Sequence, residues 1–307
     1  MHVWQPFADL AERTGPTPAG LQVTVWDGTG ELPDDAGQVE AMVAPYLSGD
    51  RVERVLAALP RLRYLQTLTA GTDSLRGKVP DGVRVANARG LHDTATSELA
   101  VTLTLAGRNQ LRAYDDQRAD GIWHVVGQRP GLADARVLLV GYGSIAKAVL
   151  ARLAPFECEV TVVARTARTE DGRQVHGFEE LADLAAAADV LVLVVPLTDD
   201  TRGMVDADVL SRLPDGALVV NVGRGAVVDT PALVAELRSG RLSAALDVVD
   251  PEPLPPGHPL WSVPGLLLTP HVGGHARAFE PRARRFVTGV LARLAAGDPP
   301  LNLVDGL

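Results

Sequence analysis

The sequence predicts an α/β protein with a doubly wound parallel sheet and a second, smaller α/β unit, on three observations. From Arg136 onward, short runs rich in Val and Leu alternate with stretches whose apolar residues recur at helical spacing. The strand-like runs are apolar throughout, as strands covered on both faces require. The chain has 307 residues, which at roughly 150 per domain leaves room for two separate cores.

Taken in order, residues 1 to 100 carry the weaker alternation, with strands expected at 23–26, 62–67 and 83–87 and a helix over 51–59. A long helix over 97–118 follows, then a loop from Gly121 through Pro130. The junction placed at this helix gives 1–98 plus 275–307 as the smaller unit and 99–274 as the larger. Strands are expected at 137–140, 159–163, 190–195, 217–221, 243–246 and 266–268, separated by helices over 144–153, 179–187, 206–213 and 231–239. A last amphipathic helix spans 281–296.

Hydrophobic residues at 46% and charged residues at 22% exclude a disordered or fibrous chain. No uncharged apolar run approaches the roughly 18 residues of a membrane helix, and residues 1–15 show no basic-then-apolar leader, so a cytoplasmic protein is expected. A net charge of −9 argues against a broad nucleic-acid or anionic-lipid surface. Lys78 and Lys147 are the only lysines, so local anion binding falls to arginine, the better fork for carboxylate or phosphate. The single cysteine, Cys158, forms no internal disulfide and has no partners for a zinc site; no metal is expected.

Val137–Val140 runs into Gly141-Tyr-Gly143-Ser144-Ile145-Ala146 and then a helix, which puts a GxGxxA pattern at a strand-to-helix turn. Gly141 permits the sharp turn, Gly143 lets a pyrophosphate approach the backbone, and Ala146 lets helix and strand pack closely, with the helix N-terminus facing the anion. NAD sites of this kind carry an acid at the end of the second strand, where it accepts from the adenosine ribose. Here the strand ends in Ala164-Arg165-Thr166-Ala167-Arg168, two guanidinium groups and a hydroxyl suited to a ribose 2′-phosphate. NADP(H) is therefore favoured over NAD(H), with Arg165 stacked on the adenine of NAD as the alternative.

Three later segments, Asn221-Val-Gly-Arg224-Gly, Asp247-Val-Val-Asp-Pro-Glu252-Pro and Thr269-Pro-His271-Val-Gly-Gly, occur in order after the phosphate loop. Together with 195–201, 258–261 and 66–73, they resemble the signatures of the NAD(P)-dependent D-isomer-specific 2-hydroxyacid dehydrogenases over nearly the whole chain. The resemblance implies a Rossmann-type cofactor domain, a flavodoxin-like α/β substrate domain completed by the returning C-terminal helix, and closure of the domains during hydride transfer. It implies a homodimer formed through the cofactor domain and small 2-keto acids such as glyoxylate or hydroxypyruvate as substrates. Cofactor contacts are implied for Ser144, Ile145, Pro196, Thr201 and Asp247, the last to the nicotinamide carboxamide. Backbone N–H groups at Ala70 and Gly71 are implied for the substrate carboxylate.

Reduction of a 2-keto acid needs a cation on the carboxylate and carbonyl and a proton donor for the developing alkoxide. Arg224, between glycines just beyond an apolar strand, fits the first need. His271, after Thr-Pro and before two glycines, fits the second, with His275 as its competitor; Glu252 beside the ring would orient it and favour the imidazolium. The resemblance assigns these same roles. Arg89 stands where many relatives have Pro, and His275 replaces a small residue; both are open between specificity and solvent-facing roles. The competing reading is a non-catalytic dinucleotide-sensing protein or corepressor on the same scaffold, against which the retention of Arg224, Glu252 and His271 together argues.

Overall fold

Strands without polar alternation pair in parallel and are covered on both faces, and that pattern organises both halves of the chain. The computed structural model describes residues 1–46, 50–125 and 127–304. Two units divide it, Met1–His92 with Ala276–Leu307, and Asp93–His275. The sequence predicts these boundaries at 98/99 and 274/275. The first instead falls at the start of a helix that runs unbroken from Asp93 to Arg108.

The first unit contains β1 (His2–Gln5), α1 (Leu10–Thr14), β2 (Gln22–Val25), β3 (Ala41–Val43), α2 (Asp50–Leu56), β4 (Tyr64–Gln66) and β5 (Arg84–Ala86). They form a parallel sheet in the order β2-β1-β3-β4-β5. Neither β1 nor β3 was expected. The ends of β1 are polar, yet His2 and Gln5 are buried because the fold supplies partners: His2 Nε2 lies 2.6 Å from Asp35 Oδ2, and Gln5 closes a turn on the backbone of Phe7.

The second unit runs α3 (Asp93–Arg108), α4 (Leu111–Ala119), β6 (Arg136–Val140), α5 (Ser144–Leu153), β7 (Glu159–Val163), β8 (Arg168–Glu170), β9 (Arg173–His176), α6 (Leu181–Ala185), β10 (Val190–Leu193), α7 (Ala207–Arg212), β11 (Leu218–Asn221), α8 (Thr230–Ser239), β12 (Ser243–Leu246) and β13 (Leu266–Leu268). The chain then rejoins the first unit as α9 (Phe279–Ala295), which buries Ala283, Val287 and Leu291 with Val3, Ala41 and Val43. The helix expected over 97–118 is two helices, broken where Gln110 adopts a left-handed φ of 53°.

The sheet of the second unit has the order β13-β12-β11-β10-β6-β7-β9-β8, parallel except for β8 against β9. Along β10, Leu191 and Leu193 enter one core and Val190 and Val192 the other, which is why the run is apolar at every position. The β8–β9 hairpin, for which no strand was expected from the sequence, turns at Asp171-Gly172 with φ of 52° and 73°. Asp-Gly with two positive φ values matches the tight hairpin turn. Among the described residues no helix is long and apolar enough to cross a membrane.

Register positions the site. Asn221 of β11 pairs with Leu246 of β12, and Leu246 pairs with Leu268 of β13, so the segments leaving these three strands start abreast. Gly225 makes the close approach possible, since a Cβ there would sit 1.9 Å from the carbonyl of Val249. Gly225→Ala should therefore cost about 1–3 kcal/mol, the scale of overpacking. Urea denaturation reads the loss, and a variant as stable as the parent would show that the two loops are not locked together.

Candidate active site

The site begins with a buried carboxylate at the end of β12. Asp247 is 2% exposed, and its Oδ1 accepts from Thr269 Oγ1 at 2.6 Å and from the backbone N–H of Val272 at 2.9 Å. Its Oδ2 accepts from the backbone N–H of Gly273 at 2.8 Å, and its carbonyl oxygen accepts from the N–H of His271 at 2.7 Å. Burial of a carboxylate is unfavourable without such donors, so Asp247 fixes the course of 269–273. Gly273 is needed for the approach, since a Cβ there would come within 3.0 Å of Asp247 Oδ2.

His271 is held within this loop at a φ of 52°, a left-handed conformation that a residue with a Cβ rarely adopts. Its Nδ1 stands 2.6 Å from Glu252 Oε1, with the two side chains 46% and 35% exposed. The imidazole is thus oriented and still accessible. Arg224 caps the short turn after β11, where Asn221 Nδ2 donates to its carbonyl and its own guanidinium donates to the carbonyl of Gly223 at 2.8 Å. The structure therefore joins Glu252 and His271 side chain to side chain and places Arg224 on the adjoining strand end. A cavity of about 640 Å³ opens beside the pair, lined by Asp247, Glu252 and His271 on its polar side and by Leu254, Trp261 and Leu268 among its apolar residues. His275, the competing histidine, is exposed four residues further on, with its backbone N–H bonded to Val272.

At the same carboxyl edge, just beyond the inner strand β6, Gly141 has a φ of 116°, and a Cβ there would lie 2.7 Å from the carbonyl oxygen of Val194. Gly143, the N-cap of α5, would direct a Cβ into open space, and no side chain caps the helix. Ala146 is fully buried between helix and sheet. An open approach to uncapped N–H groups at a helix start fits a dinucleotide pyrophosphate. Ser144 donates to Asp93 Oδ1 at 3.0 Å, and Ile145 packs into the core beneath. Pro196 is exposed, whereas Thr201 is buried and its hydroxyl ties the 196–201 turn by donating to the Pro196 carbonyl at 2.7 Å.

Beyond β7, Arg165 and Thr166 are exposed, and Arg168 opens β8. Each guanidinium already faces a carboxylate, Arg165 that of Asp200 at 3.6 Å and Arg168 that of Glu170 at 2.7 Å. Sequence reasoning missed these acids, along with Lys147, whose Nζ lies 2.6 Å from Glu170. The signal available was the Asp-Gly turn that brings Glu170 into an antiparallel pair. Ala70 and Gly71 follow β4 in the first unit, in a turn closed by Thr69 Oγ1 on the carbonyl of Gly71. Among the described residues no group of three or more His, Cys, Asp or Glu side chains is placed to hold a metal.

A parallel sheet with a glycine loop at one strand end and a carboxylate-oriented histidine at another defines the class as dinucleotide-dependent oxidoreductases. The family described as D-isomer specific 2-hydroxyacid dehydrogenase, NAD binding domain, matches residues 101–273, and the chain belongs to that family. It is 33% identical to the glyoxylate reductase/hydroxypyruvate reductase of Mus musculus over 286 residues, 85% of this chain and 87% of that protein. It is 31% identical to the glyoxylate reductase of Aeropyrum pernix over 301 residues, 92% of this chain and 89% of that one. Among solved structures, a D-isomer specific 2-hydroxyacid dehydrogenase from Xanthobacter autotrophicus Py2, in complex with NADPH and MES, superposes with a TM-score of 0.81 at 31% identity, covering 99% and 98% of the two chains. The protein is thus an enzyme of hydride transfer between a nicotinamide dinucleotide and 2-hydroxy or 2-keto acids.

The carboxylate of Asp247 gives a direct test of how the histidine is placed. Asp247→Asn replaces one acceptor oxygen with an NH2 donor where three donors converge, so at least one of its contacts to Thr269, Val272 or Gly273 is lost. The expected cost is about 1–3 kcal/mol, with faster hydrogen exchange at the Val272 and Gly273 amides. Unchanged protection of those amides would remove Asp247 from the positioning of His271.

Proposed function

We propose that the protein reduces small 2-keto acids such as glyoxylate or hydroxypyruvate to D-2-hydroxy acids with NADP(H), and NAD(H) as the lesser alternative. The observation that carries the reading is the 2.6 Å contact between His271 Nδ1 and Glu252 Oε1. A carboxylate at Nδ1 selects the tautomer with a proton there and leaves Nε2, on the far side of the ring, to exchange a proton with substrate. In the reducing direction, Nε2–H of the imidazolium gives its proton to the carbonyl oxygen as the C–O double bond becomes single. The neutral ring remains hydrogen-bonded to Glu252.

Arg224 binds the 2-keto acid carboxylate and polarises the carbonyl in this proposal; its planar fork suits both oxygens. Ala70 and Gly71 offer backbone N–H groups of the kind a carboxylate accepts. Asp247 supports catalysis by holding the 269–273 loop, in addition to the nicotinamide contact that family membership suggests. Gly141–Ala146 would hold a nicotinamide dinucleotide, which when bound would supply the hydride for the carbonyl carbon. Arg165, Thr166 and Arg168 receive its 2′-phosphate, and Pro196 and Thr201 shape the wall beside it. A homodimer is the assembly proposed from family membership.

The test is oxidation of NADPH and NADH, followed by absorbance, with glyoxylate, hydroxypyruvate, pyruvate and phenylpyruvate. Turnover of at least one keto acid is expected, fastest with NADPH. His271→Ala should lower kcat by about 10²–10⁴-fold while dinucleotide affinity survives. Failure of the parent protein to oxidise either cofactor with any of these acids would end the reading. A large loss in His275→Ala with His271→Ala unaffected would move the acid role to the other histidine.

A further inference from the structure

The sequence assigns the arginines after β7 to a ribose 2′-phosphate, and the structure places acids beside them. Glu170 on β8 bridges two cations, with Oε1 2.6 Å from Lys147 Nζ and Oε2 2.7 Å from Arg168 Nε. Asp171 Oδ2 is a further 3.1 Å contact of Lys147. Both cations also lie over the ring of Tyr142, Lys147 Nζ at 4.8 Å and Arg168 Cζ at 5.8 Å from its centroid. Tyr142 stands between the two glycines of the phosphate loop, and Lys147 is in the first turn of α5, so the cluster borders the dinucleotide loop. Hydrogen bonds from Lys147 and then Arg168 hold the Glu170 carboxyl below its ordinary range, while those to Glu170 and Asp171 hold Lys147 above its own.

Two cations are thus balanced by two carboxylates where a 2′-phosphate would need uncompensated positive charge. We propose that Glu170 sets cofactor choice: its carboxylate occupies Lys147 and Arg168, so a 2′-phosphorylated dinucleotide must displace it and an unphosphorylated one need not. The proposal rests on reading Gly141–Ala146 as the dinucleotide loop. It makes Glu170 the acid that the end of β7 lacks, returned to the same neighbourhood by the Asp171-Gly172 turn. The same carboxylate that weakens a phosphate's hold leaves an unphosphorylated ribose unopposed, so the preference for NADP(H) is smaller than the two cations alone would give.

Calorimetric titration of the full-length protein with 2′,5′-ADP and with 5′-ADP separates the two cases. For Glu170→Gln, 2′,5′-ADP should bind about three- to tenfold more tightly, the effect of releasing partly exposed cations, while 5′-ADP changes by less than about twofold. Arg168→Gln should weaken 2′,5′-ADP alone by a similar factor, and Glu170→Asp should restore most of the wild-type balance. Equal shifts for both probes in Glu170→Gln, or no shift for either, would overturn the proposal. No binding of either probe to the wild-type protein would overturn it together with the dinucleotide loop. Neither probe carries a nicotinamide or a keto acid, so a failed reductase assay leaves this result standing, and the reverse also holds.

Discussion

The geometry of the second unit's site turns on one buried group, the carboxylate of Asp247. Its three accepted hydrogen bonds all come from the loop that carries His271, and its own carbonyl takes a fourth from the His271 backbone. An unpaired carboxylate at 2% exposure would be strongly unfavourable, so the loop must close on it. That closure also holds His271 in a left-handed conformation, which is unfavourable by itself and persists only when the surroundings over-determine it. The imidazole can remain partly solvent-exposed because its position is fixed from the backbone side.

Parallel pairing then determines which groups can meet. Because Asn221, Leu246 and Leu268 are in register, residues that leave β11, β12 and β13 emerge side by side, although Arg224 and His271 are the two ends of a 48-residue stretch of chain (224 through 271). Gly225 and Gly273 close the remaining gaps, one against the carbonyl of Val249 and the other against Asp247. Glycine in these segments provides close approach, to backbone at 225 and to a carboxylate at 273, which a motif string records only as a letter.

What was legible in the sequence follows from this physics. Strands buried on both faces are apolar at most positions, so β6, β7, β10, β11, β12 and β13 could be read directly even with Glu159 and Thr161 in β7; the glycine loop followed from its place after β6, and the Glu252–His271 pair from motifs that resemble the dehydrogenase family. Elements whose burial depends on distant partners were not legible. β1 ends in His2 and Gln5, which look exposed until Asp35 and the turn at Phe7 satisfy them. β8 and β9 are rich in charge and owe their strand conformation to pairing, and the break at Gln110 lies inside an otherwise helical pattern. The carboxylate of Asp247 was expected to face a ligand; its bonds to 269–273 join residues 22 to 26 positions apart, beyond any local pattern.

Charge shows the same limit most sharply. Counted along the chain, Arg165 and Arg168 make a basic segment after β7. In the folded protein Arg165 faces Asp200, while Arg168 and Lys147 converge on Glu170. The field a ligand meets is the sum over these neighbours, and Coulomb interactions at contact distance outweigh the number of arginines in a loop. Two proteins with the same arginines here but different residues at 170 would present different potentials to a 2′-phosphate. On the proposal that Glu170 competes for these cations, cofactor preference would belong to the hairpin that brings Glu170 to Lys147 and Arg168 as much as to the arginines themselves.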